Sequence, residues 1–251
     1  MSFELIIGIL TLFGSAALGL PVAFAILVGV LVYLGVAGQD LAIAGETMVQ
    51  RLFDGFLLLA VPLFIVSANI MNAGSISDRL LNFCVALVGR FRGGLGHVNV
   101  VTSLIFSGMS GSAVADAAGI GRIIIDMMRK SGGYSRGYAA AITAATATIG
   151  PIIPPSIPMV LYALVSNASI SSLFLAGIIP GLFMGGVLMA INAVISNRRD
   201  FGYEAPVPLG KIPGITVRAA PALLMPVILL TGIYSGVTTP TEAAAIAALY
   251  A

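Results

Sequence analysis

TATIGPIIPPSIPMV, residues 146–160, interrupts an apolar segment with one glycine and four prolines. Each proline lacks a backbone N–H and clashes with the carbonyl four residues before it, so a continuous helix cannot run through this stretch. As an ideal helix, residues 138–165 would be about 42 Å long, well beyond a hydrocarbon core of about 30 Å. We therefore predict a broken helix over 138–165, with extended backbone between two half-length pieces. The alternative is a kinked helix whose carbonyls are satisfied by Ser and Thr side chains or by water.

The composition places this break in a membrane protein. Hydrophobic residues make up 59% of the chain and charged residues only 9%, against about 25% charged in soluble domains. The mean hydropathy is +1.07. The net charge of +2 is spread along the chain, which argues against a nucleic-acid partner. The single cysteine, Cys84, excludes a disulfide framework and a thiolate metal site. We predict an all-α, polytopic membrane protein.

The first part of the chain, residues 1–75, reads as scaffold-type transmembrane helices. No Lys or Arg precedes the first apolar run, so we do not expect a cleaved signal peptide. Apolar runs predict spans at 4–19, 22–37 and 56–73, with an acidic loop over 38–54. By the positive-inside rule, that loop lies outside and the basic region that follows lies in the cytoplasm. Residues 76–96 are too short and too basic to cross, which favours an amphipathic helix on the cytoplasmic face.

Residues 97–121 are predicted to form a re-entrant helical hairpin. The apolar run VNVVTSLIF is only half a membrane long before it meets SGMSGS at 107–112, and a second short run returns. Glycine and serine at this density favour a turn, which is tolerated at membrane depth only where protein or water surrounds it. A hairpin also keeps Arg92 and Arg122 on the same side of the membrane. The alternative is one tilted span with a notch of small residues.

The hairpin, the broken helix and a helix over 172–195 make up a transport-type unit at 97–200. Residues 201–251 follow as a cytoplasmic linker, a span near 220–236 and a new helix. Thr239 and Glu242 have the spacing of a capping box around Pro240, which predicts that this helix begins near the outer face. The sequence stops about three turns into it. We expect the chain to be the first half of a larger protein.

The broken helix and the hairpin tip together favour a cation site. Unpaired carbonyls in lipid cost several kcal/mol each, and a desolvated hard cation such as Na⁺ would accept them. Hydroxyl groups are close in sequence to both turns. Two broken elements meeting near the midplane are typical of secondary transporters. Asp116 is an intramembrane carboxylate that could act at the site or complement a helix dipole. The hydroxyl residues are Ser107, Ser110, Ser112, Thr143, Thr146, Thr148 and Ser156.

The stretches FSGMSGSAVADAAGIGRI, GYSRGYAAAITAATATIGPIIPPSIPMVLYALVSNASISSLFLAGIIPGLFMG and GIYSGVTTPTEAAAIAALYA resemble the large membrane subunit of tripartite ATP-independent periplasmic (TRAP) transporters. The resemblance implies an elevator-type, inverted-repeat, Na⁺-coupled symporter in the bacterial inner membrane. It also implies a periplasmic binding protein that delivers an organic acid, and a small membrane subunit of the Q type. No second hairpin or second proline break appears in this sequence, so the chain would supply one half-site.

By this resemblance, the hairpin tip and the break carry the first repeat's Na⁺ site and line the substrate cavity. No cofactor is implied beyond Na⁺ as coupling ion. The expected Na⁺-binding residues are Ser110, Gly111, Ser112, Thr146, Thr148, Gly150, Pro151 and Pro154, and the expected cavity residues are Ser107, Asp116, Pro155 and Ser156.

Other functions fit parts of the pattern. GMSG around Ser110 has the small-residue setting of an intramembrane serine protease, but the only histidine, His97, precedes it. A channel would also use backbone carbonyls, and another Na⁺-coupled carboxylate or ion transporter could share this architecture. The substrate stays open among sialic acids, C4-dicarboxylates and other small acids. We expect a transporter and not an enzyme.

Overall fold

The computed structural model describes residues 2–54, 56–74 and 76–251, without the side chains of 51–54, 73 and 209. Within these residues there are thirteen α-helices and two short 3₁₀ helices, and no strand. The predicted all-α fold class is confirmed. The chain divides into two compact units, Met1–Phe56 and Leu57–Ala251.

The first unit contains helices α1 (Phe3–Ala17), α2 (Val22–Val36) and α3 (Ala42–Asp54). The first two coincide with the apolar runs at 4–19 and 22–37, and that they span the membrane stays a prediction. They pack closely because Gly8 and Gly29 face each other: a Cβ atom on Gly29 would lie 2.9 Å from the Leu12 Cβ. The prediction of a loop over 38–54 is wrong. The prediction followed the acidic residues of this stretch and overlooked the helical spacing of its apolar residues. Helix α3 begins at Ala42, whose N–H donates a hydrogen bond of 2.9 Å to the Asp40 carboxylate.

The boundary between the units falls within a 3₁₀ turn (Phe56–Leu59), and the second unit continues with α4 (Ala60–Ala73) and α5 (Ile76–Val88). The amphipathic helix expected over 76–96 corresponds to α5, which is shorter, because residues 94–96 already belong to the next helix. Its place on the cytoplasmic face stays a prediction. Its inner face consists of buried side chains, and its outer face carries exposed polar ones. The inner residues are Leu80, Leu81, Cys84 and Val88, and the outer ones include Arg79 and Asn82.

Helix α6 (Gly94–Ser110) lies at the centre of this unit, and its side chains are buried around most of its circumference. It packs against α4, α5, α11 and α12 among others. After Gly111 the chain turns into α7 (Ala113–Ala118) and α8 (Ile120–Ser131), both of which contact α6. The chain thus folds back at Gly111, which is the shape that the hairpin prediction requires. That the hairpin enters from the cytoplasm stays a prediction.

Helices α9 (Arg136–Ala147) and α10 (Ile157–Ser166) are the two pieces of the predicted broken helix. The expectation of extended backbone between them is wrong. Backbone hydrogen bonds from Ile149, Gly150, Ile152 and Ile153 to carbonyls three or four residues before them coil the chain into successive turns. Prolines at 151, 154 and 155 remove donors without forbidding turn geometry, so local bonds form between them.

The unit closes with α11 (Ile170–Arg199), α12 (Ile212–Tyr234) and α13 (Pro240–Tyr250). In the described part of the chain, α11 and α12 are the helices long and apolar enough to cross a membrane alone, and the pair formed by 56–72 and α5 qualifies only with a 72° bend. The capping box is confirmed: Thr239 and Glu242 exchange hydrogen bonds at the start of α13. The bonds from Thr239 lower the pKa of the Glu242 carboxyl.

Candidate functional site

The hairpin tip places three predicted residues at the end of α6. Gly111 adopts the left-handed conformation, with φ at 59°, which ends α6 and allows a sharp reversal. The Ser112 hydroxyl then accepts a hydrogen bond from the Ala115 N–H and caps α7. Ser110 is 1% exposed, and its hydroxyl has no hydrogen-bond partner among the described residues. A buried hydroxyl without a partner is costly, so Ser110 is available to a ligand.

The break leaves several carbonyl oxygens free. A helix would direct the Gly150 and Pro154 carbonyls toward the nitrogens of Pro154 and Pro158, which carry no hydrogen. Within the described residues, no hydrogen bond reaches the carbonyls of residues 150 or 152–155. The Pro151 carbonyl, in contrast, accepts a hydrogen bond from the Ser156 hydroxyl. The prolines therefore leave a local group of acceptors, as the sequence predicts.

The hairpin tip and the break lie in direct contact. The Ile157 N–H, at the start of α10, donates a hydrogen bond of 3.3 Å to the Gly111 carbonyl. A Cβ atom on Gly111 would lie 2.3 Å from the Pro155 oxygen, and one on Gly150 would lie 3.1 Å from the Ala113 nitrogen. Two glycines, one on each element, thus permit backbone-to-backbone approach. The residues expected from the two separate motifs meet at one place.

Helix α11 packs against the break, and α12 packs against the hairpin. A Cβ on Gly177 would come within 2.3 Å of the Ile152 oxygen, and one on Gly181 within 2.3 Å of Ile153 Cγ1. Pro226 of α12 approaches the hairpin, since a Cβ on Gly108 would lie 2.9 Å from the Pro226 Cβ. The sequence reading gave these residues no role in the site. Their signal was the small-residue spacing in α11, which is also common to ordinary helix packing.

Three helix ends converge where the tip meets the break. The C-termini of α6 and α9 present unsatisfied carbonyls with partial negative charge, which favours a cation. The N-terminus of α10 carries partial positive charge, and its first turn is capped by Ser156, whose hydroxyl accepts from the Met159 N–H at 3.3 Å. This arrangement can stabilise a cation and an anion next to each other.

A second polar cluster joins α6 to α9 below the break. The Asn99 amide donates to the Thr143 hydroxyl at 2.7 Å and accepts from the Thr146 hydroxyl at 3.1 Å. All three residues are buried. Thr146, expected to bind Na⁺, therefore already has protein partners. Sequence reasoning missed Asn99 because its relation to the threonines is tertiary.

The remaining predicted residues differ in their surroundings. Thr148 is exposed, and its hydroxyl donates to the Ala145 carbonyl at 2.7 Å. Ser107 is buried and donates to the Ser103 carbonyl of its own helix. Asp116 is 1% exposed, and neither carboxylate oxygen has a hydrogen-bond partner among the described residues. Of these three, Asp116 is the one whose side chain is both buried and without a hydrogen-bond partner in the described residues.

The geometry does not form a serine–histidine pair. His97 and Ser110 lie near opposite ends of the uninterrupted helix α6. Thirteen residues of helix separate the two positions by about 20 Å along the axis. A base must lie within hydrogen-bonding reach of its nucleophile, so His97 cannot activate Ser110.

The sequence of the chain is similar to that of known proteins over most of its length. Residues 9–251 match the family model described as "Tripartite ATP-independent periplasmic transporter, DctM component". The chain is 42% identical over 234 residues to the sialic acid TRAP transporter large permease protein SiaM of Vibrio cholerae, covering 93% of this chain and 54% of that protein.

Two further relatives carry other substrates in their names. Identity is 41% over 241 residues to the 2,3-diketo-L-gulonate TRAP transporter large permease protein YiaN of Escherichia coli, covering 96% of this chain and 56% of YiaN. It is 36% over 238 residues to the C4-dicarboxylate TRAP transporter large permease protein DctM of Vibrio cholerae, covering 94% and 52%. The chain spans about half the length of the curated relatives it matches.

Proposed function

Because the chain belongs to the DctM family of large permeases in tripartite ATP-independent periplasmic transporters, we propose that it supplies one half-site of a Na⁺-coupled importer of an organic acid. The resemblance expected from the sequence is confirmed, and the family is one of transporters, not of enzymes. The Na⁺ coupling, the substrate class and the partners belong to the proposal.

The observation that carries the proposal is the contact between the hairpin tip and the proline break. There, the unpartnered Ser110 hydroxyl lies at the end of α6, next to Gly111, whose backbone touches Pro155 and Ile157. Hydroxyl and carbonyl oxygens are the ligands that hard cations prefer. A Na⁺ ion at this contact would use oxygens that otherwise remain unsatisfied, which is why its binding would stabilise the tip against the break.

The substrate is proposed to be a carboxylate that binds beside the cation. Ser107, Asp116, Pro155 and Ser156 remain the proposed cavity residues, with the N-terminus of α10 as the source of positive potential. The relatives are named for sialic acid, 2,3-diketo-L-gulonate and C4-dicarboxylates, which share a carboxylate group. The proposed partners are a periplasmic binding protein and a small membrane subunit, in the bacterial inner membrane.

The test is uptake by proteoliposomes that contain a full-length permease carrying this sequence, with its small subunit and binding protein. We expect accumulation of the organic acid only along an inward Na⁺ gradient. Equal uptake with choline in place of Na⁺ would contradict the coupling. Uptake that never saturates with substrate would favour a channel instead.

Substitutions then test the assigned residues. Ser110→Ala should raise the Na⁺ concentration needed for half-maximal uptake, because it removes an unpartnered oxygen at the tip. Ser112→Ala and Thr148→Ala test two of the other assigned hydroxyls. Ser235→Ala is the matched control, since that exposed hydroxyl donates to the Gly232 carbonyl in the last turn of α12. An unchanged Na⁺ dependence in a variant removes that residue from the cation site.

A further inference from the structure

A basic site lies away from the hairpin, between α5, the linker after α11 and the start of α12. It is a cavity of about 620 Å³ lined by three residues of α5, one of the linker and two of α12. This volume is within the range of about 300–1,000 Å³ found for small-molecule sites. The lining residues are Arg79, Asn82, Val85, Val207, Ile215 and Arg218.

The charge of this cavity is positive and uncompensated. Arg79 and Arg218 line it from two different helices, and no acidic residue is among its lining residues. Neither arginine takes part in an ion pair within the described part of the chain, where the two observed pairs are Arg92–Asp200 and Arg129–Asp126. A neighbouring cavity shares Arg218 and adds Lys211. Two guanidinium groups and an amide at one opening suit a phosphate group, which accepts several hydrogen bonds from arginine.

The lining also has an apolar side. Arg79, Asn82 and Val85 are three residues apart on α5 and so share one face of that helix. Val85, Val207 and Ile215 are half-buried and contribute aliphatic surface next to the arginines. A fully soluble anion gains nothing from such surface, whereas a phospholipid presents a phosphate directly above its glycerol and acyl chains.

We propose that this cavity binds the head group of an anionic phospholipid, with Arg79 and Arg218 as the phosphate ligands. The apolar face of α5 is buried in the protein and Arg79 lies on its exposed face, which agrees with the surface position that the sequence predicts for this helix. Basic pockets between helices on the cytoplasmic side are suited to acidic lipid head groups. A bound lipid would join α5 to α12 and to the linker at a single point, independently of the hairpin and the break.

The experiment measures thermal unfolding of the purified permease in detergent as dioleoylphosphatidylglycerol is added, with dioleoylphosphatidylcholine in parallel. We expect stabilisation by phosphatidylglycerol that exceeds the effect of phosphatidylcholine. The double variant R79Q/R218Q should weaken the apparent affinity for phosphatidylglycerol by roughly 30-fold, because each basic residue near a membrane surface contributes about a factor of five. R79K/R218K should retain most of the response.

The matched control is R198Q/R199Q, which also removes two positive charges, but at the end of α11 and outside the cavity. It should bind phosphatidylglycerol like the unaltered protein, and an equal loss in this variant would overturn the proposal in favour of diffuse surface attraction. Equal stabilisation by inorganic phosphate or glycerol 3-phosphate would also overturn it, in favour of a soluble anion. Ile215→Glu keeps both arginines and adds a carboxylate to the lining, so it should abolish the lipid response, and an unaffected response contradicts the assignment.

Discussion

Gly111→Ala tests whether the hairpin tip is built around contact with the proline break. Gly111 has φ at 59°, a conformation that costs an L-residue about 1–2 kcal/mol. Its added Cβ would also lie 2.3 Å from the Pro155 oxygen and 3.1 Å from the Ile157 nitrogen, so backbone must move. That movement removes the 3.3 Å bond between the Ile157 N–H and the Gly111 carbonyl, a further loss of about 0.5–1.5 kcal/mol. We expect a total destabilisation of about 1.5–3.5 kcal/mol.

Gly132→Ala provides the matched control. Gly132 also has a positive φ, at 73°, and also follows the last residue of a helix, but a Cβ there meets no atom within 4 Å. Its substitution should therefore lower the free energy of unfolding by the conformational cost alone, about 1–2 kcal/mol. Unfolding in mixed micelles, followed by circular dichroism, measures both variants. If Gly111→Ala is no more destabilising than Gly132→Ala, the contact between tip and break contributes nothing and the reasoning fails.

Three further predictions concern other parts of the chain. Asn99→Ala should cost about 1–3 kcal/mol of unfolding free energy, because it leaves the buried Thr143 hydroxyl without its donor, while Thr146 keeps its bond to the Thr143 carbonyl. Exposed Asn82→Ala should change the unfolding free energy by less than about 0.5 kcal/mol, and similar losses in the two variants would show that the polar cluster is not stabilising. Cysteines introduced at the exposed positions 92 and 131 should both react with a membrane-impermeant maleimide only from the cytoplasmic side, and buried Cys84 should not react. Labelling of the two positions from opposite sides would favour a single span in place of the hairpin. Thr239→Ala should lower the unfolding free energy by about 1 kcal/mol at neutral pH, because the capping hydroxyl is lost. The difference between the two proteins should shrink as the pH falls through the lowered pKa of the Glu242 carboxyl, which bonds to that hydroxyl when ionised. A difference that stays constant in acid would contradict the role of the capping box.

Local sequence signals predicted those parts of the fold that depend on local chemistry. The capping box at Thr239 and the break near 150–155 are each predicted from residues that are close together in the sequence, and the structure has both. The helix over 42–54 was not predicted, because the acidic residues of this stretch were taken to indicate a loop, although its apolar residues recur at helical spacing. The backbone of the break was predicted wrongly because proline constrains φ and removes a donor, but it does not fix ψ.

The same distinction applies to the residues of the site: some have a local sequence signal and others depend on tertiary contacts. Ser110, Gly111 and Ser112 could be assigned from sequence because small polar residues interrupting an apolar run must be explained locally. Asn99 could not, because it lies inside α6 and its partners on α9 are 44 and 47 residues away. Gly177 and Gly181 could not either, since a glycine in a membrane helix fits lipid, helix or loop contact equally well until the neighbouring chain is known.

One glycine at the tip and one in the break explain why the break can be both irregular and well defined. Prolines alone would leave a flexible kink, since they delete hydrogen bonds without replacing them. Here Gly111 and Gly150 let two backbones approach within contact, and the single bond from Ile157 to Gly111 fixes one element against the other. The free carbonyls of the break are then held in place before any ligand arrives. A cation that binds there would gain affinity because the ordering of its ligands has already occurred during folding.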